Sequence, residues 1–183
     1  YQRLVISNVL DALDAPDAQY GSVIEDVHDR QIVILPTGAG KSLCFQIPGR
    51  MRPGLTLVIF PLLSLMADQE RRLKMTGWNP HLLSGATASK ERSRIWRTIR
   101  ASDHSILLTN PESAASTEVR RSLSRLGIAH LVIDEAHCVT EWGESFRPAY
   151  RSLPSLIEQT RPRVVTAFTA TASPRIIADL RAL

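Results

Sequence analysis

Residues 32–42 read Ile32-Val33-Ile34-Leu35-Pro36-Thr37-Gly38-Ala39-Gly40-Lys41-Ser42, and the reading of this stretch decides the fold. Four apolar residues, three of them β-branched, open it in the manner of a buried strand. Two glycines then turn the chain into a helical pattern over residues 41–50. A strand, a glycine turn and a helix in that order aim successive backbone amides and the positive end of the helix at one point, which makes an anion site. Lys41 is then placed to reach the β- and γ-phosphates of a nucleotide, and the Ser42 hydroxyl to ligate Mg²⁺. Thr37, Gly38, Ala39 and Gly40 complete the cradle. Leu35 stands where the strict G-x-x-x-x-G-K-[ST] expression has glycine, so the match is to its GKS end.

Working outward, the same alternation recurs along the chain. Short runs rich in Val, Ile and Leu at 32–35, 55–60, 106–109, 130–133 and 164–168 predict buried strands. Between them, helical patterns fall at 41–50, 63–76, 88–101, 112–125, 149–160 and 174–183. Strand and helix in alternation predict βαβ units and an α/β fold, a mostly parallel sheet with helices on both faces. An amphipathic segment (Leu4, Val5, Val9, Leu10, Leu13) precedes these units, followed by an acidic connector over residues 14–29. With 183 residues and no repeat or low-complexity tract, one domain is the expectation.

Composition narrows the function classes. At 44% hydrophobic and 22% charged the chain has the make-up of an ordinary globular protein, and no run reaches the eighteen or so apolar residues of a membrane span. No signal peptide opens it, which points to a cytoplasm-like compartment, or the nucleus in a eukaryote. Cys44 and Cys138 lie far apart without companion ligands, so neither a disulfide framework nor a zinc site is expected. The formal charge of +4 is uneven. Residues 1–30 hold two basic residues against six acidic ones, which leaves a surplus of +8 for the rest and suits a polyanionic partner.

A second acid-bearing turn follows the apolar run Leu131-Val132-Ile133. Asp134-Glu135-Ala136-His137 falls at the C-terminal end of a predicted strand, where open α/β sheets place their ligands. Asp134 would hold Mg²⁺, and Glu135, one residue on, could orient and deprotonate an attacking water. In-line attack on a γ-phosphate needs little beyond positioning and charge neutralisation. Lys41, Asp134 and Glu135 are therefore the catalytic candidates, with Ser42 and Asp134 as metal ligands.

Together these motifs resemble superfamily 2 helicases, and the finer residues resemble the RecQ family of ATP-dependent DNA helicases. Residues 36–42 followed by Leu43-Cys44-Phe45-Gln46 are similar to that family's motif I. Phe60-Pro61-Leu62-Leu63-Ser64-Leu65-Met66-Ala67-Asp68-Gln69 resembles motif Ia. Leu108-Thr109-Asn110-Pro111-Glu112 resembles the Thr-Pro-Glu region that touches the DNA backbone, and residues 134–137 resemble motif II. Ala167-Phe168-Thr169-Ala170-Thr171-Ala172 is similar to motif III, which links nucleotide state to DNA contact.

The resemblance implies a RecA-like P-loop ATPase lobe that couples Mg-ATP hydrolysis to movement on single-stranded or forked DNA and to 3′-to-5′ unwinding. A second lobe of the same protein, absent from this chain, would complete it. His137 would relay between the ATP and DNA sites. The DNA-contact and coupling candidates are Pro61, Ser64, Gln69, Thr109, Pro111, Glu112, Thr169 and Thr171.

The most specific stretch is residues 138–150, Cys138-Val139-Thr140-Glu141-Trp142-Gly143-Glu144-Ser145-Phe146-Arg147-Pro148-Ala149-Tyr150, which resembles the aromatic-rich loop of RecQ helicases. Trp142 and Phe146 can stack on bases, each worth ~1–3 kcal/mol, and Arg147 can meet a phosphate; with Tyr150, which closes the stretch, they join the DNA-contact candidates that the resemblance implies. Near the start, Gln2-Arg3-Leu4-Val5-Ile6 is similar to motif 0, whose Gln reads adenine. Gln2 with Tyr1, or alternatively Gln19, is the adenine-contact candidate. Two other functions share the motifs: an RNA helicase of the same superfamily, and a nucleic-acid-binding lobe that retains the fold without catalysis.

Overall fold

The strand that carries the phosphate-loop motif pairs with the last strand in sequence, and that pairing places everything else. The computed structural model describes residues 1–15, 29–141, 148–171 and 173–183. In chain order its elements are α1 (Gln2–Asp14), β1 (Arg30–Ile34), α2 (Leu43–Met51), β2 (Gly54–Ile59), α3 (Leu63–Met75), β3 (His81–Leu83), α4 (Ser89–Arg100) and β4 (His104–Thr109). There follow α5 (Pro111–Ala114), α6 (Thr117–Leu126), β5 (His130–Ile133), α7 (Cys138–Glu141), the 3-10 helix Pro148–Ser152, α8 (Leu153–Thr160), β6 (Val164–Thr169) and α9 (Pro174–Arg181). The strands form one sheet in the order β1-β6-β5-β2-β4-β3, and every pair is parallel. Parallel pairs need crossovers, and helices supply them. The α/β class read from the alternation is the one the chain adopts.

Side chains alternate across the pleat and divide the interior in two. On one face Leu55, Leu57 and Ile59 of β2, Leu131 and Ile133 of β5, and Val165 and Ala167 of β6 pack under α4, α6, α8 and α9 through Trp96, Leu123, Leu156 and Ile176. On the other, Val58, Leu108, Val132 and Phe168 pack under α1, α2 and α3 through Val5, Phe45 and Met66. Both faces are covered, which is why the strand sequences read as continuous apolar runs. Among the described residues no helix is long and apolar enough to cross a membrane.

Three local readings change. Residues 81–83 form a strand at the sheet edge, too short to show a period between two helical patterns. The helix expected over 112–125 is two, because Ser116 takes a non-helical backbone and its side chain caps the second by accepting from the Val119 amide. The helix expected over 149–160 begins as a 3-10 turn, with Pro154 at the start of the α-helical part.

His130 shows how the sheet treats a polar group. Its ring is 1% exposed. Nε2 lies 2.9 Å from the Thr166 hydroxyl, which also accepts from Gln31 Nε2, and Nδ1 has no hydrogen-bond partner among the described residues. Burial without a countercharge drives its pKa down to about 3. The unfolded chain takes up this proton as pH falls through about 6.5 while the folded chain does not, so stability is full above that value and is lost on acidification. Between pH 7 and pH 5 this residue alone should remove about 2 kcal/mol. Urea unfolding at the two pH values should therefore fall less for His130→Leu than for the wild type; equal losses would overturn this reading.

Candidate functional site

All the motif turns leave the C-terminal ends of strands, so the parallel sheet gathers them along one edge. After β1 the chain is tied to β6 by the Leu35 amide, which donates to the Thr169 carbonyl at 3.0 Å. It then swings through Gly38 (φ +81°) and Gly40 (φ +75°), both in the left-handed region that favours glycine. A Cβ at Gly38 would meet nothing within 4 Å, so the loop is open there; a Cβ at Gly40 would collide with the Gln2 side chain. Among the described residues the amides of Gly38, Gly40, Lys41 and Ser42 donate to no protein acceptor. Four unfilled donors at a helix start, with open space before them, fit an anionic group.

The acid turn is built by a change of partner. The Asp134 amide continues the β5 ladder by donating to the Ile59 carbonyl of β2 (3.0 Å), whereas the Ala136 amide donates to the Phe168 carbonyl of β6 (2.7 Å). Glu135 between them takes φ +47°, a left-handed conformation costing roughly 1–2 kcal/mol in a non-glycine residue. That turn puts both acids beside Lys41. Its Nζ donates to Glu135 Oε1 at 3.1 Å and stands 4.0 Å from Asp134 Oδ1. Burial pushes the Asp134 carboxyl above the usual carboxylate range, opposed by the Lys41 charge and aided by that of Glu135. His137 Nδ1 lies 3.4 Å from Glu135 Oε2 and 3.3 Å from the Thr169 hydroxyl.

The donor set fits a hydrated divalent cation. Among the described residues no three His, Cys, Asp or Glu side chains form a metal cage. Mg²⁺ beside phosphates takes only one or two carboxylates and otherwise oxygen from hydroxyl, water and phosphate, which Asp134 and Ser42 can meet.

The remaining candidates separate by exposure. Gln2 lies on α1 and donates through Nε2 to the Ala39 carbonyl, so it touches the phosphate loop, whereas Tyr1 is 97% exposed. Gln19 lies outside the described residues, as do Trp142, Phe146 and Arg147. Thr37, Ser64, Glu112 and Thr171 are exposed along the sheet edge. Pro61 and Pro111 are buried beneath them. Thr109 and Tyr150 require correction as DNA-contact candidates, since both are fully buried. The Thr109 hydroxyl donates to the Leu83 carbonyl and pins the edge strand, and Tyr150 joins the core between α5 and α8 because the 3-10 helix turns it inward. Gln69 is buried and accepts from the Ser42 hydroxyl. Thr169 is likewise buried; its hydroxyl donates to the Thr171 carbonyl at 2.8 Å.

Sequence reasoning missed the main-chain carbonyls of Phe168, Thr169 and Ala39, which hold both loops and Gln2. No residue-type pattern announces a carbonyl. Because Lys41 lowers the Asp134 pKa against the effect of burial, Lys41→Met should raise the Asp134 titration midpoint further. Carbon-detected NMR of the carboxyl measures this, and an unchanged or lower midpoint would contradict the placement.

Comparison with known proteins agrees with this geometry. A family model described as DEAD/DEAH box helicase matches residues 9–180. Among curated proteins, the RecQ-like DNA helicase blm-1 of Caenorhabditis elegans is 40% identical over 163 residues, covering 84% of this chain and 16% of that protein. The ATP-dependent DNA helicase RecQ of Bacillus subtilis is 35% identical over 159 residues, 86% of this chain and 27% of that protein. The chain thus spans less than a third of the length of these relatives. Of solved structures, the DUF1998 helicase MrfA bound to DNA and AMPPNP superposes with a TM-score of 0.70 at 21% identity, over 99% of this chain and 25% of that one. The Hef helicase domain of Pyrococcus furiosus gives 0.63 at 19%, over 99% and 35%. Both share the fold. With the phosphate loop, the Asp-Glu-Ala-His turn and the family model falling on the same residues, the chain belongs to the DEAD/DEAH box helicase family.

Proposed function

We propose that this chain is the N-terminal ATP-binding lobe of a RecQ-type ATP-dependent DNA helicase, and that it works with a second lobe carried elsewhere in the same protein. The observation that carries the reading is Lys41, 3.1 Å from Glu135 and 4.0 Å from Asp134, facing a loop in which the Gly38, Gly40, Lys41 and Ser42 amides have no protein acceptor among the described residues. The loop amides and Lys41 bind the phosphates of ATP. Asp134 and Ser42 would hold Mg²⁺, which when bound would neutralise phosphate charge. Glu135 orients the attacking water and takes its proton as the water oxygen bonds to the γ-phosphorus. The bond to the β–γ bridging oxygen breaks, and ADP and inorganic phosphate leave. Gln2, at the loop, selects adenine.

DNA over RNA is favoured by the names of the relatives and by the RecQ-like stretch 138–150, in which Trp142, Phe146 and Arg147 stack on or bind single-stranded DNA. Ser64, Glu112 and Thr171, exposed where the chain leaves the C-terminal ends of the strands, are further DNA contacts in this reading. Unwinding runs 3′-to-5′ in this reading.

Phosphate release by the full-length protein is the test, measured alone, with single-stranded DNA and with single-stranded RNA. Strong stimulation by DNA is expected, with a loss of about 100-fold or more in Glu135→Gln, the range for a missing general base. Trp142→Ala should blunt the stimulation without abolishing basal turnover. Stimulation by RNA alone would move the protein to the RNA helicases, and no hydrolysis under any condition would leave a binding lobe.

A further inference from the structure

The buried stripe of α3 runs Met66, Gln69, Leu73, and its middle member is out of character. Gln69 is 8% exposed, in a position where Met or Leu would fill the space without a polar group to satisfy. Its Oε1 accepts from the Ser42 hydroxyl at 3.2 Å, while its Nε2 has no hydrogen-bond partner among the described residues. The carboxamide is thus satisfied on one side only, and that side is the first residue after the phosphate-loop lysine.

A serine hydroxyl has one proton and two lone pairs. To ligate a cation it must present a lone pair, so its proton has to be turned away and accepted by another oxygen. An unclaimed proton leaves the hydroxyl free to rotate, and the rotamers that aim hydrogen at the cation are repulsive. The geometry points to Gln69 as a positioning residue for Ser42: Oε1 takes the hydroxyl proton and so holds the Ser42 lone pairs ready for the nucleotide-bound Mg²⁺. This rests on the ATPase reading above and deepens it, because Gln69 then acts on nucleotide through Ser42. The role also explains why a polar side chain interrupts the apolar face of α3.

The test is a double-mutant cycle on the full chain, read as the affinity for a fluorescent ATP analogue in excess Mg²⁺ and in EDTA. Removing one hydrogen bond to the ligating hydroxyl should cut the Mg²⁺-dependent gain in affinity about five-fold in Gln69→Met, with the affinity in EDTA kept within about two-fold. Gln69→Met in a Ser42→Ala background should cause no further loss, since the pair acts as a unit. Gln69→Glu retains an acceptor oxygen and should keep the Mg²⁺-dependent gain, so it carries the test if the Met variant folds poorly. An undiminished gain in Gln69→Met, an equal loss in EDTA, independent multiplying losses in the double variant, or a lost gain in Gln69→Glu would each overturn the assignment. A wild-type chain that binds the analogue in neither condition would overturn the ATPase reading itself.

Discussion

The insertion of β6 between β1 and β5 is the constraint on which the site depends. Lys41 and Glu135 are 94 residues apart in sequence, and neither of the strands that deliver them pairs with the other. A strand made later in the chain joins them. Its Thr169 carbonyl accepts from Leu35 at the start of the phosphate loop, and its Phe168 carbonyl accepts from Ala136 inside the acid turn. Because the pairs on both sides are parallel, all three strands end at the same edge. Losing the β6 register would therefore disperse both halves of the site at once.

Charge explains why this arrangement is poised for nucleotide. One lysine faces two carboxylates, all half-buried, and the set leans negative beside a loop built for an anion. A polyphosphate placed there would meet the loop amides favourably and the carboxylates unfavourably. A divalent cation would resolve that conflict, and Asp134, whose carboxyl is held above the usual range by burial and then by the Glu135 charge against the pull of Lys41, gains from one as well. The strained backbone of Glu135 belongs to the same account, since an extended residue there would send the second carboxylate away from Lys41.

Much of this was legible in the sequence, for definite reasons. Strands buried on both faces leave unbroken apolar runs, so β1, β2, β4, β5 and β6 stood out, and the phosphate loop stood out because Gly38 and Gly40 fall between an apolar run and a helical pattern, with Lys41 and Ser42 directly after them. The three-residue edge strand β3 lacked the length to show a period. Tyr150 misled because an aromatic in a stretch resembling a stacking loop carries the same letter whether it faces solvent or core, and only the 3-10 turn decides that it faces inward. Gln69 was grouped with motif Ia by its place in the chain, but its i, i+3, i+7 relation to Met66 and Leu73 is what assigns it to the buried face. Residues 16–28 of the acidic stretch and the central residues of the aromatic loop, 142–147, lie outside the described residues, and Asp14, read as the start of that stretch, closes α1.

The site also places the Glu135 carboxylate at one end of a short chain of contacts that finishes at the exposed surface. His137 offers one nitrogen, Nδ1, to two oxygens at nearly equal range, Glu135 Oε2 and the Thr169 hydroxyl. Among the described residues only the Thr169 contact has hydrogen-bond geometry, with Glu135 Oε2 standing beside the same nitrogen. Thr169 is itself committed in both senses to Thr171, donating to its carbonyl and accepting from its amide. Thr171 is exposed at the sheet edge, where the backbone leaves β6. The Glu135 carboxylate is thus joined to the exposed Thr171 through His137 and Thr169, all held at the ends of β5 and β6.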